Sequence, residues 1–195
     1  MEAFSERYNA ALILAAHAHQ RQTRKGGNIP YIIHPVHVSV ILLRHGFSED
    51  VAIGGLLHDV VEDSDIPLTD IEAEFGPAVA DIVAALTERK REEGVERPWE
   101  TRKREALNHL RAASIEATAV KAADVLHNTR TLAQQLRRQG PSIWGHYSRG
   151  PEQSLWFYRA VAAIARERMR AHPLTDELDE AVEGLAQAIQ ETEVN

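Results

Sequence analysis

The sequence contains no cysteine among its 195 residues. Disulfide bonds and thiolate metal ligands are therefore excluded, and any metal ion must be held by histidine and carboxylate side chains. Long apolar runs are also missing: the longest, AALILAA at 10–16, is too short to span a bilayer and lacks the flanks and cleavage site of a signal peptide. We therefore expect a soluble, cytoplasmic protein that does not bind membranes.

The sequence also lacks an excess of positive charge, since its formal net charge is −7 at pH 7. General binders of nucleic acid or anionic membranes carry a basic surface that releases counterions from phosphates. The charge balance thus argues against nucleic acid as a partner. Hydrophobic residues make up 44% of the chain, which is enough to form one compact domain over residues 1–195.

Strict alternation of apolar and polar residues, which is typical of strands, is nearly absent, whereas apolar residues recur every three or four positions. This periodicity predicts an all-α domain, a bundle of about eight to nine helices. Capping and breaking residues place these helices at 5–22, 35–46, 48–63, 69–76, 77–86, 98–113, 114–138, 151–171 and 175–192.

Individual residues define several of these boundaries. Pro35 and Pro77 suit the first position of a helix, and Thr69 with Glu72 forms a capping-box pattern. The charged segment TERKREEGVERP at 87–98 is poor in apolar residues, and we interpret it as a mobile connection or a ragged helix end.

The stretch GGLLHDVVED at 54–63 places four ionisable residues in an otherwise apolar segment. On a helix, the i to i+4 spacing stacks His58 over Glu62 and Asp59 over Asp63. The flanking leucines and valines predict partial burial, and several buried charges are costly unless a cation compensates them. A divalent metal ion is the simplest compensator. The alternative is that His58 packs in the core while the three acids face solvent.

Two further segments carry isolated polar residues. In PYIIHP at 30–35, His34 precedes a helix-starting proline, a rigid position from which an imidazole can be aimed. In VKAADVLHNTR at 120–130, Asp124 lies among apolar residues of a helix. For this aspartate the alternative is a simple ion pair with Lys121.

These residues combine into a set of two imidazoles and two carboxylates from three helices or helix starts: His34, His58, Asp59 and Asp124. Mixed nitrogen and oxygen ligands with open positions for water suit a hydrolytic divalent ion. Such a ligand set favours manganese, with iron, cobalt or zinc as alternatives.

Four segments occur in a characteristic order: AHAHQRQTRKGGNIPYIIHP at 16–35, GGLLHDVVEDSDIPLT at 54–69, FGPAVADIVAALTE at 75–88 and VKAADVLHNTRTL at 120–132. With these segments the sequence resembles the HD-domain phosphohydrolases, and more closely the hydrolase domain of RelA/SpoT proteins and the small alarmone hydrolases. The resemblance implies an HD-domain helical bundle. Its motif-bearing core is about 10–135, and the C-terminal helices at 142–195 complete the fold and the pocket.

The resemblance also implies roles for individual residues. It implies a manganese ion held by His34, His58, Asp59 and Asp124. It implies that Glu62 and Asp63 are the catalytic acid pair, which acts on the attacking water and the leaving phosphate. Asn128 matches a residue near the nucleotide sugar and phosphate, and Arg24 and Lys25 match the basic pair beside guanine and the phosphates. From charge alone, Lys121 and Arg130 are further cations for an anionic substrate.

The implied reaction is hydrolysis of the 3′-pyrophosphate of guanosine tetraphosphate or pentaphosphate, giving GDP or GTP and pyrophosphate. An alternative keeps the metal and the acids but hydrolyses a 5′-nucleotide, a dinucleotide or the phosphate of NADPH. Another is a nucleotide-sensing module without turnover, although the presence of every expected ligand and both acids argues against it.

Two features of the C-terminal region leave alternatives open. Trp144, Tyr147 and Trp156 are interpreted as core residues, with an aromatic pocket wall as the alternative. The amphipathic pattern of the last two helices suits an intramolecular core or a homodimer interface.

Overall fold

The computed structural model describes residues 5–92 and 94–193. Within these ranges the chain forms ten α-helices, a two-stranded hairpin and one 3-10 segment. The helices are α1 (Glu6–Ala18), α2 (Ile33–Arg44), α3 (Glu49–Leu57), α4 (Val60–Asp63), α5 (Leu68–Phe75), α6 (Pro77–Leu86), α7 (Trp99–Ala112), α8 (Ile115–Gln139), α9 (Pro151–Met169) and α10 (Pro173–Glu193). The hairpin consists of β1 (Arg91–Glu92) and β2 (Val95–Glu96), and the 3-10 segment is Gly140–His146. The predicted all-α class is confirmed.

Helix α8, with 25 residues, lies at the centre of the molecule and packs against α2, α3, α6, α9 and α10. Ser114 caps its N-terminus by accepting a 3.1 Å hydrogen bond from the backbone amide of Ala117. A hydrophobic cluster joins α8 to α2, α6, α7, α9 and α10. Because α8 is surrounded in this way, Asp124 on this helix is carried into the interior, where its residue is 6% exposed.

Helix α3 packs closely between α2 and α6 because it contains two glycines. A Cβ atom on Gly54 would lie 2.8 Å from Cγ2 of Ile82, and one on Gly55 would lie 2.7 Å from Cδ1 of Leu42. Both distances are too short for a real side chain, so glycine is required at this helix spacing. The close approach brings the end of α3, with His58, next to α2, which carries His34.

The prediction of one helix over 48–63 is wrong, because α3 ends at Leu57 and α4 begins at Val60. The carbonyl of Gly55 accepts a 2.8 Å hydrogen bond from Nδ1 of His58, in competition with the amide that a continuous helix would supply. His58 and Asp59 therefore lie at a turn rather than in a continuous helix.

The charged segment at 87–98 forms the hairpin rather than a mobile connection or a ragged helix end. Its antiparallel register pairs Arg91 with Glu96 and Glu92 with Val95, and Gly94 has a φ of 82°. Both strands are exposed, so their pairing leaves no apolar periodicity in the sequence. Side-chain ion pairs stabilise the hairpin instead, since Arg97 pairs with Glu105 of α7.

Other predicted boundaries differ by a few residues. Helix α5 begins at Leu68 after Pro67, so Thr69 lies inside the first turn and the capping-box prediction is wrong. Helix α2 begins at Ile33, which places Pro35 at the third position, because a turn that starts at Pro30 already leads into the helix. None of the helices in the described part of the chain is both long and apolar enough to cross a membrane.

Candidate functional site

Three of the predicted ligands form a cluster where α2 meets the turn between α3 and α4. One ligand atom each from His34, His58 and Asp59 lies within 4.8 Å of the others. His34 and His58 are 1% and 2% exposed. The side chain of Asp59 is 20% exposed, so the cluster opens to solvent on the carboxylate side.

The hydrogen bond of His58 fixes how its imidazole can act. Nδ1 donates to the Gly55 carbonyl, which leaves Nε2 to face Oδ2 of Asp59 at 3.0 Å. Among the described residues, the buried Nε2 has no hydrogen-bond partner of acceptable geometry. A metal-binding histidine typically donates from one ring nitrogen to a carbonyl and binds the ion with the other, in place of a proton. The donor set therefore fits a divalent cation.

The charges of the cluster also indicate that it accepts a positive charge. Burial lowers the pKa of His58, but the Asp59 carboxylate more than offsets this effect and raises the pKa to about 9. Burial raises the pKa of Asp59, whereas His58 and His34 lower it well below its ordinary value. The carboxylate is thus ionised, and a cation between the donor atoms is favoured.

Asp124 lies beside this cluster, with Oδ1 3.2 Å from Nε2 of His34. Lys121 donates to Oδ2 at 2.9 Å and Asn128 donates to Oδ1 at 2.5 Å. Asp124 thus forms the ion pair with Lys121 that was the alternative to metal binding, and it also contacts His34. Burial raises the pKa of Asp124, but Lys121 and the two histidines hold it well below its ordinary value.

A hydrogen-bond donor to Asp59 was not predicted from the sequence. The hydroxyl of Tyr31, in the loop before α2, donates a 2.6 Å hydrogen bond to Oδ2 of Asp59. Burial and the neighbouring carboxylate raise the pKa of Tyr31, so the hydroxyl keeps its proton and remains a donor. Tyr31 and Asp59 are 28 residues apart, a separation over which helical periodicity predicts no contact.

A row of imidazoles extends from His34 toward the surface. Nδ1 of His34 lies 2.7 Å from Nδ1 of His127, whose Nε2 lies 2.9 Å from Nδ1 of His37. Burial and the nearby charges of His34, Arg24 and His37 lower the pKa of His127 to about 3. Neither His37 nor His127 is among the site residues predicted above. Their spacing is the sequence signal that could have identified them, because His37 follows His34 by three residues and His127 follows Asp124 by three.

The predicted acid pair lies next to the cluster, on α4. The side chains of Glu62 and Asp63 are 17% and 19% exposed, so these acids, like Asp59, are mostly buried and do not form the solvent-facing helix end of the alternative interpretation. Oε2 of Glu62 accepts a 3.1 Å hydrogen bond from the backbone amide of Glu88. Nζ of Lys90 lies 3.0 Å from Oε1 of Glu62 and 2.5 Å from Oδ1 of Asp63. Burial raises the pKa of Glu62, with Lys90 lowering it and Asp59 raising it.

The two acids and Asp59 of the cluster line a cavity of about 510 Å³. Its wall carries the predicted substrate contacts Arg24, Lys25, Lys121 and Asn128. Arg24 donates a 2.5 Å hydrogen bond to Oδ1 of Asn128 and lies 5.5 Å from the centre of the Tyr31 ring. The ammonium of Lys25 lies 5.0 Å from the centre of the Tyr147 ring. Burial and the charges of Lys103, Arg24 and Lys90 lower the pKa of Lys25.

The remaining predictions for the cavity have mixed outcomes. Arg130 is not among the cavity residues and instead pairs with Glu177 of α10 at 3.1 Å. Tyr147 lines the cavity, Trp144 packs against a hydrophobic cluster, and Trp156 is 41% exposed. Further cavity residues were not predicted from the sequence, among them Trp99, Arg102, Lys103 and Arg149.

Several known proteins are similar in sequence to this chain. A model of the HD domain family matches residues 11–147. The chain is 37% identical over 164 residues to "Guanosine-3′,5′-bis(diphosphate) 3′-pyrophosphohydrolase MESH1" of Xenopus tropicalis, covering 80% of this chain and 86% of that protein. It is 41% identical over 125 residues to a Synechocystis sp. protein named "Probable guanosine-3′,5′-bis(diphosphate) 3′-pyrophosphohydrolase", covering 63% of this chain but 16% of that protein.

The fold has a solved counterpart as well. A metazoan ortholog of SpoT that hydrolyzes ppGpp superimposes with a TM-score of 0.74 at 27% identity, covering 97% of this chain and 99% of that one. The matched range of residues 11–147 contains the cluster, the acid pair and Asp124. By family match, identity and fold together, this chain belongs to the HD domain family.

Proposed function

We propose that this protein is a metal-dependent phosphohydrolase that releases pyrophosphate from the 3′ position of guanosine tetraphosphate or pentaphosphate. The observation that carries the proposal is the buried cluster of His34, His58 and Asp59, which opens beside two further acids into a cavity rich in cations. Two relatives of this chain are named as 3′-pyrophosphohydrolases of the same nucleotide, one of them as probable. We further propose that the protein acts as a single cytoplasmic domain.

A divalent ion would be held by Nε2 of His34, Nε2 of His58 and the carboxylates of Asp59 and Asp124. Manganese is our choice among divalent ions, because two imidazoles with two carboxylates form a mixed nitrogen and oxygen set. Such an ion, when bound, acts as a Lewis acid toward a phosphoryl oxygen and makes water a better nucleophile. Tyr31 supports the set by its hydrogen bond to Asp59.

The acid pair would handle the protons of the reaction. Water attacks the phosphorus atom attached to the 3′ oxygen, the bond between them breaks, and pyrophosphate leaves with the oxygen of water. Glu62 is suited to take the proton of this water, because burial raises its pKa and makes it a stronger base. Asp63, its neighbour in sequence, would receive this proton and pass it to the departing 3′ oxygen, which leaves as a hydroxyl group.

The cavity suits a nucleotide that carries several phosphates. Its volume of about 510 Å³ lies within the range of about 300–1,000 Å³ that is usual for small-molecule sites. Arg24 presents a planar guanidinium that can stack on a base, while Lys25 and Lys121 supply charge for phosphates. Asn128 bridges Arg24 and Asp124, and so links the substrate side to the metal side of the site.

The proposal is tested by incubating the protein with manganese and a panel of nucleotides, followed by chromatography of the products. The panel includes guanosine tetraphosphate, a 5′-nucleotide, a dinucleotide and NADPH. We expect GDP and pyrophosphate in equal amounts from guanosine tetraphosphate, and neither product from Asp59→Ala. If guanosine tetraphosphate survives while another nucleotide is cleaved, the substrate assignment is wrong. If every nucleotide survives, the enzyme assignment is wrong.

A further inference from the structure

Lys90, just before the hairpin, contacts both members of the acid pair. Its Nζ atom lies 3.0 Å from Oε1 of Glu62 and 2.5 Å from Oδ1 of Asp63. The lysine side chain is 43% exposed, while the two acids are each less than one-fifth exposed. Charge-assisted hydrogen bonds of this kind are stronger than neutral ones and fix the orientation of the acceptor.

The backbone around Lys90 is held firmly. The carbonyl of Lys90 accepts a 3.0 Å hydrogen bond from the amide of Arg97, next to the β1–β2 pairing. The guanidinium of Arg97 in turn donates two hydrogen bonds, of 2.8 and 2.6 Å, to the carboxylate of Glu105 on α7. The hairpin and α7 thus set the position from which the lysine reaches the acids.

The same short segment holds the second oxygen of Glu62. The amide of Glu88 donates to Oε2, while Lys90 contacts Oε1, so both oxygens of this carboxylate are bound from residues 88–90. Glu88 is itself fixed, because its carboxylate accepts hydrogen bonds from Lys103 at 2.5 Å and from Arg102 at 3.3 Å. The orientation of Glu62 therefore depends on this segment rather than on α4 alone.

The carboxylates that line the cavity favour a positive charge beside Glu62 and Asp63, where Lys90 lies. Glu62, Asp63, Asp59 and Asp124 all line one cavity, and partly buried carboxylates repel one another. Lys121 and the imidazoles face Asp124 and Asp59, whereas Lys90 faces the acid pair. Lys90 thus compensates charges that a metal ion at the histidine cluster would not contact directly.

We propose that Lys90 is a positioning residue for hydrolysis, which orients Glu62 and Asp63 through its contacts with both carboxylates. The hairpin that fixes this lysine is then part of the active site. The inference rests on the proposed function, because it assigns Glu62 and Asp63 to the chemistry.

Removing the charge of Lys90 has a predictable effect on Glu62. The groups that face Glu62 are the Lys90 ammonium, the amide and carboxylate of Glu88, and the carboxylate of Asp59. Burial and the two carboxylates raise the pKa of Glu62, and Lys90 opposes them. Without the lysine charge the pKa of Glu62 rises, and the acid limb of the pH–rate profile moves to higher pH.

The test compares Lys90→Gln, Lys90→Arg and, as a control, Arg89→Gln. Arg89 neighbours Lys90, but its side chain is 72% exposed and pairs with Glu92 of the hairpin. We expect Lys90→Gln to lower kcat about tenfold at neutral pH, to leave KM nearly unchanged and to shift the acid limb upward by about one pH unit. Lys90→Arg should restore both kcat and the acid limb, and Arg89→Gln should match the wild type.

Three outcomes would overturn the inference. Wild-type kcat and an unmoved acid limb in Lys90→Gln exclude a positioning role. A raised KM with an unmoved acid limb makes Lys90 a substrate contact instead. The third outcome needs no turnover: it is a ¹³C carboxyl titration of Glu62, in protein loaded with the diamagnetic ion zinc, that shows no higher pKa in Lys90→Gln than in the wild type. An inactive wild type would contradict the proposed function, while this titration would still judge the role of Lys90.

Discussion

Nδ1 of His34 lies 2.7 Å from Nδ1 of His127, so one of these two imidazoles must donate a proton to the other. When a metal ion occupies Nε2 of His34, which faces Asp124 and Asp59, Nδ1 of His34 carries the ring proton and His127 accepts it. Nε2 of His127 can then donate to Nδ1 of His37 at 2.9 Å, and the whole row is satisfied with neutral rings. His127 thus fixes the tautomer in which His34 can bind a metal.

The first prediction concerns this row of imidazoles. Replacing His127 with alanine should lower the affinity for Mn²⁺ by about 10–100-fold, the usual cost of losing a group that orients a metal ligand. Isothermal titration calorimetry measures the affinity directly. The control is His17→Ala, because His17 lies exposed on α1 and contributes nothing to the cluster. Equal affinities for His127→Ala and wild type would rule out the orienting role.

The second prediction separates metal binding from the chemical step. Mn²⁺ should raise the melting temperature of the wild type, because it binds the folded state, and Asp124→Ala should abolish this increase. Glu62→Ala should retain most of the increase yet lose hydrolysis, since Glu62 is assigned to proton transfer rather than to the metal. Thermal melts with and without Mn²⁺ measure the effect on metal binding, and rate measurements measure the effect on hydrolysis. An active Glu62→Ala protein would remove this acid from the mechanism.

The third prediction concerns the close packing of α3. Gly55→Ala should destabilise the protein by about 1–3 kcal/mol, since its Cβ would lie 2.7 Å from Leu42 and 3.4 Å from the backbone of Ser39. It should also weaken Mn²⁺ binding, because the carbonyl of Gly55 holds Nδ1 of His58. Urea denaturation and Mn²⁺ titration measure the two effects.

A matched glycine in another helix provides the control. Gly184 lies in α10 and has no atom within 4 Å of an added Cβ. Gly184→Ala should therefore stabilise the protein by about 0.5–1 kcal/mol through helix propensity. If Gly55→Ala were as stable as Gly184→Ala, Gly55 would not be what permits the close approach of α2 to α3.

The fourth prediction is a pH dependence of stability at Glu88, whose side chain is 7% exposed. Burial raises the pKa of Glu88, but Lys103, Lys121 and Arg102 outweigh burial and lower it. A lowered pKa in the folded state stabilises the protein above the unfolded glutamate pKa of about 4.3, and this contribution is lost as the pH falls through the folded value. Glu88→Gln should thus be less stable than wild type at neutral pH.

The difference between these two proteins should shrink in acid. Denaturant unfolding of wild type and Glu88→Gln at a series of pH values between neutral and acidic measures it. A difference in unfolding free energy that stays constant over this range would show that the charge of Glu88 is not what stabilises the fold.

Local patterns in the sequence account for much of the fold. Periodicity predicted the helices, and Ser114 was placed correctly at the start of α8 because its capping hydrogen bond joins neighbouring residues. The histidines and carboxylates of the cluster were identifiable because ionisable groups in apolar segments are unusual. The break between α3 and α4 was missed, since it depends on a side-chain hydrogen bond from His58 to Gly55 that periodicity does not reveal.

The contacts around the cluster could not be predicted in the same way. His127 and Tyr31 meet His34 and Asp59 across 93 and 28 residues of sequence, so only the packed helices bring them together. Lys90 lies in a charged segment without apolar periodicity, and its contact with the acid pair depends on the hairpin. Long-range polar contacts of this kind leave no mark in local sequence patterns.

The most direct test of the account is a Mn²⁺ titration of chelator-treated protein, in which the release of GDP from guanosine tetraphosphate is measured at each metal concentration. We predict no release of GDP without the ion. We also predict that the Mn²⁺ concentration giving half of the maximal rate equals the one giving half of the maximal increase in melting temperature. Full release of GDP by the metal-free protein would contradict the central claim that the cluster of His34, His58 and Asp59 holds the ion required for hydrolysis.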